Sequence, residues 1–290
     1  WPVFMDADPQ YWQMDAEKTQ LFLENECIWK NGQLENKSTG RRLKAILPVH
    51  ILGHPCDMEP IVNAAHRYDL KLVEDATESL GARYREQMVG RLGDIACFSF
   101  NGNKLITTGG GGMIVTDNEE WARRARYLTT QAKDDPVEYI HGEIGYNYRL
   151  TNIQAALGCA QMEHLDSYIE TKQRTAITYA KAIGGFSGIT PMKEASRAKA
   201  VFWLYTVLVD KRDYGMDSRA LLAYLDKQGI QTRPLWQPIH LSKAHTGAFP
   251  MDCPVAEKIA EEGLSLPSSV GLTSEQQERV ISGLVSALAT

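Results

Sequence analysis

The sequence predicts an α/β fold: a mostly parallel sheet flanked by helices, followed by a smaller α+β C-terminal region. Three observations carry this. Between residues 43 and 116, short apolar runs alternate with helical segments across short loops, which is the pattern of β–α–β units. The run 43–49 holds no charge after Lys44, as suits a strand buried on both faces. Beyond residue 184, a β-branched run at 202–209 stands among capped helical segments.

In chain order, residues 2–5 read as a strand and the acidic turn DADP follows. Asp15 can cap a helix to about Asn25, with Leu21 and Phe22 inside it. His50 ends the strand 43–49. Asp57 caps a helix through Tyr68, and 71–73 is the next strand. Residues 82–84 and 87–89 make a small hairpin. The strand 95–100 follows, then one at 114–116, then a helix from Asp117 or Asn118 to Leu128. Residues 129–145 lack periodicity and hold Lys133, Asp134, Asp135, Pro136 and His141, a composition that suits a surface loop near a site. A long amphipathic helix runs from Asn152 to about Ile183, with a break expected near Gly158. The stretch GGFSG at 184–188 marks a boundary. It gives a large unit, 1–183, that includes a linking helix, and a small unit, 184–290. In the latter, 202–209 is a strand, 217–228 a helix ended by Gly229, and 230–232 a short strand. Helices follow at 254–262 and 274–288, the last with Ser274 and Gln277 placed for a capping box.

Composition narrows the function. The chain has 290 residues, 43% hydrophobic and 23% charged, as in soluble globular proteins. A net charge of −5 argues against a dedicated nucleic-acid surface. No apolar run approaches a membrane span, and no secretory signal pattern appears. Five scattered cysteines without a CxxC pair read as reduced thiols of a cytoplasmic protein. The seven histidines and the cysteines show no zinc spacing, so no metal is expected.

The chemistry concentrates between Leu72 and Met113. An apolar strand ends in Glu74 and Asp75. The next carries Ser99 near its end, and Lys104 follows. The glycine run 109–112 then leads into another strand. An acid at one strand end and a lysine just past the next can face one pocket, where open α/β sheets place their ligands. A lysine amine can form a Schiff base with an aldehyde cofactor, and a carboxylate can keep a pyridine nitrogen protonated. Taken singly, Asp75 is as well explained as a turn former and Lys104 as a solvated charge. Together with Ser99 they favour pyridoxal phosphate chemistry. The glycines follow the lysine, the wrong order for a P-loop, and read as a close-packed turn.

This stretch resembles the active-site region of the DegT-type nucleotide-sugar aminotransferases, fold-type I pyridoxal 5'-phosphate enzymes. VEDATESLG is similar to that family's acid motif, usually Asp-Ala-Ala-Gln; FSFNGNK to its lysine motif; and TTGGGGM to the turn after it. The resemblance continues through YLTTQAKD, GYNYRLTNIQAALG and TRPLWQPIH to LSLPSSVGLT, so it covers nearly the whole chain. It implies that Lys104 is the Schiff-base lysine and proton carrier, and that Asp75 is the partner of the pyridinium. Glu78 stands near the ring hydroxyl, where relatives mostly have Gln. Ser99 reaches the cofactor phosphate. Asn147 reaches the phosphate of the neighbouring subunit's cofactor, which implies a homodimer with a shared site. Arg149, Arg233, Trp236 and His240 are candidates for the nucleotide-sugar, since arginine grips a diphosphate through paired donors. Each also has a plainer reading, as an ion-pair or core residue. His50 and His54 are more economically structural. Relatives carry an earlier segment with a Ser-Gly-Thr helix start for the cofactor phosphate, and the sequence is expected to lack it.

The function implied is ping-pong transamination, with glutamate as donor and a nucleotide-linked 4-keto-6-deoxy sugar as acceptor. DATES and RPLWQPIH resemble the legionaminic-acid-type branch, which implies a UDP-N-acetyl-hexos-4-ulose and a product for surface polysaccharide. Two alternatives remain open. One is a deoxysugar dehydratase relative, against which Lys104 argues because those enzymes place His there. The other is a non-catalytic protein that binds a cofactor or sugar nucleotide.

Overall fold

The computed structural model describes residues 1–135, 137–249 and 251–288. Helix α1 spans Ala16–Asn25, and its cap is Asp15, whose carboxylate accepts the Lys18 N–H at 3.0 Å. The hairpin β1 (Cys27–Lys30) and β2 (Gln33–Asn36) follows. Strand β3, Ala45–Ile46, leads through a short turn to α2, Met58–Arg67, which buries Met58, Ile61, Ala64 and Ala65. Then come β4 (Lys71–Asp75), the small hairpin β5 (Arg83–Tyr84) and β6 (Gln87–Met88), β7 (Ile95–Ser99) and β8 (Gly112–Val115). The main sheet has the order β3-β4-β7-β8. Its first three strands are parallel and β8 is antiparallel to β7.

The next helix, α3 (Glu119–Thr129), is capped by Asn118 as expected. The segment expected as a plain loop instead holds a hairpin, β9 (Lys133–Asp135) and β10 (Ile140–His141); Pro136 lies outside the described residues. Helices α4 (Asn152–Met162) and α5 (Leu165–Ile183) follow. The break falls at 163–164, not near Gly158. Gly158 serves close packing: a Cβ there would stand 3.0 Å from the Thr108 methyl. The C-terminal part contains β11 (Ile189–Pro191), β12 (Ala198–Lys199), β13 (Tyr205–Val209), α6 (Lys211–Tyr214), α7 (Ser218–Lys227), β14 (Arg233–Pro234), α8 (Pro254–Glu262), β15 (Gly263–Leu266) and α9 (Ser274–Ala287). A second, antiparallel sheet has the order β11-β13-β15-β14.

Several expectations shift for identifiable reasons. Residues 2–5 form no strand; only Val3 pairs, with Phe249. The run 43–49 shrinks to two ladder residues because Pro48 lacks an N–H, although its carbonyl accepts from Asp75 and Val49 bridges Asp75. The same run alternates in burial: Ile46 is buried, Leu47 is 53% exposed. One face of the main sheet is therefore open, not both covered. Phe202 has φ +46, so the chain bends there and β13 begins only at Tyr205. After Gly229 (φ +70), Ile230 tucks into the core, and the strand forms at Arg233–Pro234, not at 230–232. The capping box of α9 uses Thr273 and Gln276, one residue earlier than Ser274 and Gln277. Strand β15, fully buried and central in its sheet, lacked any alternating pattern to announce it.

The main sheet packs its covered face on a core that includes Phe22, Ile46, Met58, Ile61 and Leu72. The second sheet packs with α5, α7 and α9 around Tyr179, Tyr205, Leu221, Leu225, Leu264 and Leu284. A third cluster, with Ala76, Phe100, Ile106, Ile169 and Val201, lies beneath the loops that carry the site.

Glu74 anchors the upper end of the main sheet. It is fully buried, and its carboxylate accepts the backbone N–H groups of Gly90, Leu92 and Gly93 and bonds His50 Nε2 at 3.1 Å. His50 Nδ1 accepts the Cys56 N–H, which fixes the tautomer with hydrogen on Nε2. Burial pushes the Glu74 carboxyl up, but the His50 and backbone hydrogen bonds outweigh it and leave the group below its ordinary 4.5. A depressed carboxyl stabilises the fold above the unfolded value and loses that contribution as pH falls through the folded one. Glu74→Gln is therefore expected to lose about 3 kcal/mol at neutral pH, as for a broken buried pair. Urea unfolding should show the gap to wild type narrowing as pH falls below 4.5.

Candidate active site

Adjacent residues in a strand point to opposite faces. Glu74 turns into the covered side, so Asp75 turns to the open one. The register settles what it meets there. Asp75 stands opposite Cys97 in the parallel pair β4–β7 and bridges Val49 on the other side. Ser99 lies two residues beyond Cys97 on the same face, about 7 Å along the strand. Burial, and then the neighbouring Asp75 charge, push the Cys97 thiol up. Asp75 accepts the Thr77 N–H at 3.1 Å through one oxygen; among the described residues no hydrogen bond reaches the other. The Ser99 hydroxyl accepts the Asn101 N–H at 3.3 Å.

After β7 the chain makes a tight excursion that brings Lys104 back over the strand ends. Phe100 closes it, donating to the Gly111 carbonyl and accepting from Thr108, both at 3.0 Å. Gly111 (φ +89) packs so closely on Leu150 that a side chain there would collide with it. Lys104 Nζ lies 3.6 Å from Glu78 Oε1, and both side chains are largely shielded, at 14% and 13% exposure. The other oxygen of Glu78 accepts the Leu52 N–H at 2.7 Å. Burial holds the Glu78 carboxyl above its ordinary value; the Leu52 and Lys104 contacts oppose this and the Asp75 charge adds to it.

The Trp203 ring covers Lys104, with Nζ 4.0 Å from the ring centroid, within cation–π range. Its indole N–H donates to the Asn103 carbonyl at 2.7 Å. Trp236 stacks on Trp203, with centroids 6.0 Å apart and planes 5° apart, and is 52% exposed. The chain of contact thus runs from Lys104 through Trp203 to the outward ring of Trp236. Trp203 gave no signal in the sequence, because a tryptophan next to a strand reads as core.

The other expected residues are more scattered. Asn147 bridges Thr130 on an exposed segment; its chain neighbours Tyr146 and Tyr148 stack on each other, and Arg149 is exposed close by in sequence. Arg233 is exposed on edge strand β14, opposite Ser265. His240 Nε2 bonds Glu257 at 2.9 Å. His50 and His54 are fully buried and structural. His54 Nε2 accepts the Ala195 N–H, and burial pushes its pKa down to about 4. Among the described residues no cluster of His, Cys, Asp or Glu could hold a metal ion, and no helix is long and apolar enough to cross a membrane.

With a shielded lysine 3.6 Å from Glu78, and Asp75 at the end of β4, comparison with known proteins is decisive. Residues 1–285 match the DegT/DnrJ/EryC1/StrS aminotransferase family. The chain belongs to this family. It is 37% identical over 286 residues to a GDP-perosamine synthase of Caulobacter vibrioides, covering 98% of this chain and 72% of that protein. It is 33% identical over 282 residues to a UDP-N-acetyl-3-dehydro-alpha-D-glucosamine 3-aminotransferase of Acidithiobacillus ferrooxidans, covering 96% and 69%. The crystal structure of Streptomyces venezuelae DesV with a ketimine intermediate superposes at a TM-score of 0.85, with 32% identity, over 100% of this chain and 72% of that one. The fold is that of the fold-type I aminotransferases, and the chain is a pyridoxal phosphate-dependent aminotransferase of this family. Its residues fit that cofactor. The open sheet face carries a carboxylate with one uncommitted oxygen and a serine hydroxyl, and a shielded primary amine lies 3.6 Å from Glu78, three residues past that carboxylate.

Proposed function

We propose that the chain transfers an amino group from glutamate to the ketone of a nucleotide-linked 4-keto-6-deoxy sugar, with Lys104 and Asp75 as the catalytic pair. One observation carries this reading. The Lys104 amine is held between Glu78 and the Trp203 ring, beside the strand end that bears Asp75. When bound, pyridoxal phosphate supplies an aldehyde for an amine and a ring that accepts electrons from the adjoining carbon. Lys104 Nζ holds the cofactor between turnovers. Once displaced, the same atom takes the proton from the donor's carbon and later delivers one to the sugar's. The free oxygen of Asp75 would keep the cofactor's ring nitrogen protonated, and Glu78 would stand near its ring hydroxyl. Ser99 donates to the phosphate.

The outward face of Trp236, with Arg233 and Arg149, is assigned to the sugar nucleotide. His240, whose Nε2 hydrogen-bonds Glu257 at 2.9 Å, is assigned to the same substrate. Support for the substrate class comes from relatives named for GDP- and UDP-linked sugars. Within it, DATES and RPLWQPIH favour a UDP-N-acetyl-hexos-4-ulose of the legionaminic-acid type. The test is incubation with glutamate and a panel of keto-sugar nucleotides, following 2-oxoglutarate release. Turnover with the UDP-N-acetyl-4-ulose above the others is expected; no turnover with any 4-keto sugar would sink the reading. Asp75→Asn should keep the cofactor and lose about a hundredfold in transfer rate.

A homodimer belongs to the same proposal. Ile140, Ile144, Tyr148 and Ile153, at 55%, 84%, 71% and 83% exposure, are exposed apolar side chains in the stretch of chain around Asn147. A second copy covering it would carry Asn147 toward the partner's cofactor phosphate. Sedimentation should show a dimer; a cofactor-saturated monomer would contradict the shared site.

A further inference from the structure

Lys172, in the middle of α5, is a buried lysine with no carboxylate on it among the described residues. Its side chain is 4% exposed, and its ammonium donates to three neutral oxygens: the Trp203 carbonyl at 2.8 Å, the Ser268 hydroxyl at 3.1 Å and the Ser268 carbonyl. Three donors thus meet three acceptors, a complete set for an ammonium. Burial alone pushes the group down to about 7. A buried lysine that only filled space would be cheaper as methionine or leucine, which carry no desolvation cost.

What distinguishes this lysine is what it holds. Trp203 is fixed at several points. Its carbonyl is taken by Lys172 and its indole N–H by Asn103. Its backbone lies so close to Gly53 (φ +87) that a Cβ there would stand 2.7 Å from the Trp203 nitrogen. Its ring covers the Lys104 amine and carries Trp236 on its side. Ser268, the other residue gripped by Lys172, also accepts the Tyr205 N–H, the first residue of β13. Lys172 therefore ties α5, the start of β13 and the 267–268 turn to one indole.

We propose that Lys172 is a positioning residue for the reaction, acting on the Lys104 amine through Trp203. The proposal rests on the assignment of Lys104 made above. The ammonium of Lys172 sets the height of the Trp203 backbone, and the indole then limits where Lys104 Nζ and the face of Trp236 can lie. Freed of that hold, the ring loosens, and misplacement of a reacting amine by an ångström is enough to slow a reaction about a hundredfold.

The test uses Lys172→Met, which keeps the stem and removes the donors. The six tryptophans are labelled with ¹⁵N at the indole, and Trp203→Phe assigns the Trp203 resonance. In Lys172→Met, exchange of the Trp203 indole proton with solvent is expected to speed up at least about tenfold, with shifts confined to Trp203 and Trp236. In the pyridoxal phosphate-loaded enzyme kcat should fall about tenfold to a hundredfold, with KM for the amino donor within about twofold. Unchanged indole exchange, or acceleration shared by all six indoles, overturns the proposal, the latter because it marks a general loosening. Local acceleration with unchanged kcat overturns it too. If Lys172→Met does not fold, Ser268→Ala takes its place and should give the same pattern at smaller amplitude; an unaltered Trp203 resonance there overturns it. The indole readout needs no cofactor, so an error in the assignment of Lys104 appears separately, as turnover that survives Lys104→Ala.

Discussion

The parallel register between β4 and β7 is the constraint on which the rest depends. With Asp75 opposite Cys97, the acid shares a face with Ser99 and lies beneath the excursion that returns Lys104. A slip of one residue would turn Asp75 into the core and bring Glu74 to the surface. The register is protected from below. Glu74 is locked by three backbone donors and His50, so the strand cannot turn over without orphaning a buried carboxylate. Neighbouring acids thus stand on opposite faces: Glu74 fixes the strand, and Asp75 lies on the open side.

That division explains how much was legible beforehand. The β–α–β alternation, the caps at Asp15 and Asn118 and the hairpin after β4 follow from local patterns, and local patterns were readable. Asp75 and Lys104 could be named because acid, serine and lysine sit at strand ends within 29 residues, in motifs that match a family. The roles of Trp203 and Lys172 were not readable. Each depends on contacts between segments remote in sequence, such as Trp203 with Asn103 and Lys172 with Ser268. The errors share that cause. β13 starts late because Phe202 bends the chain to fit Gly53, and β15 lacks alternation because it is buried throughout.

The site belongs to neither sheet alone. The main sheet gives Asp75 and Ser99, the loop after it gives Lys104, and the segment leading into the second sheet gives Trp203. Trp236, two residues past β14, extends the same surface outward. A catalytic amine between a carboxylate and an indole gains orientation from both while remaining shielded from bulk water. Such shielding strengthens every charge interaction around it. Trp236, Arg233 and Arg149 stand in open surroundings, while Lys104 and Glu78 are shielded.

The central claim is that the amine of Lys104 is the one that receives the cofactor aldehyde. Reduction of the pyridoxal phosphate-loaded protein with borohydride, followed by peptide mapping, tests it directly. A phosphopyridoxyl group on Lys104 alone is the predicted result; a label on another lysine, or one spread over several, would contradict the account.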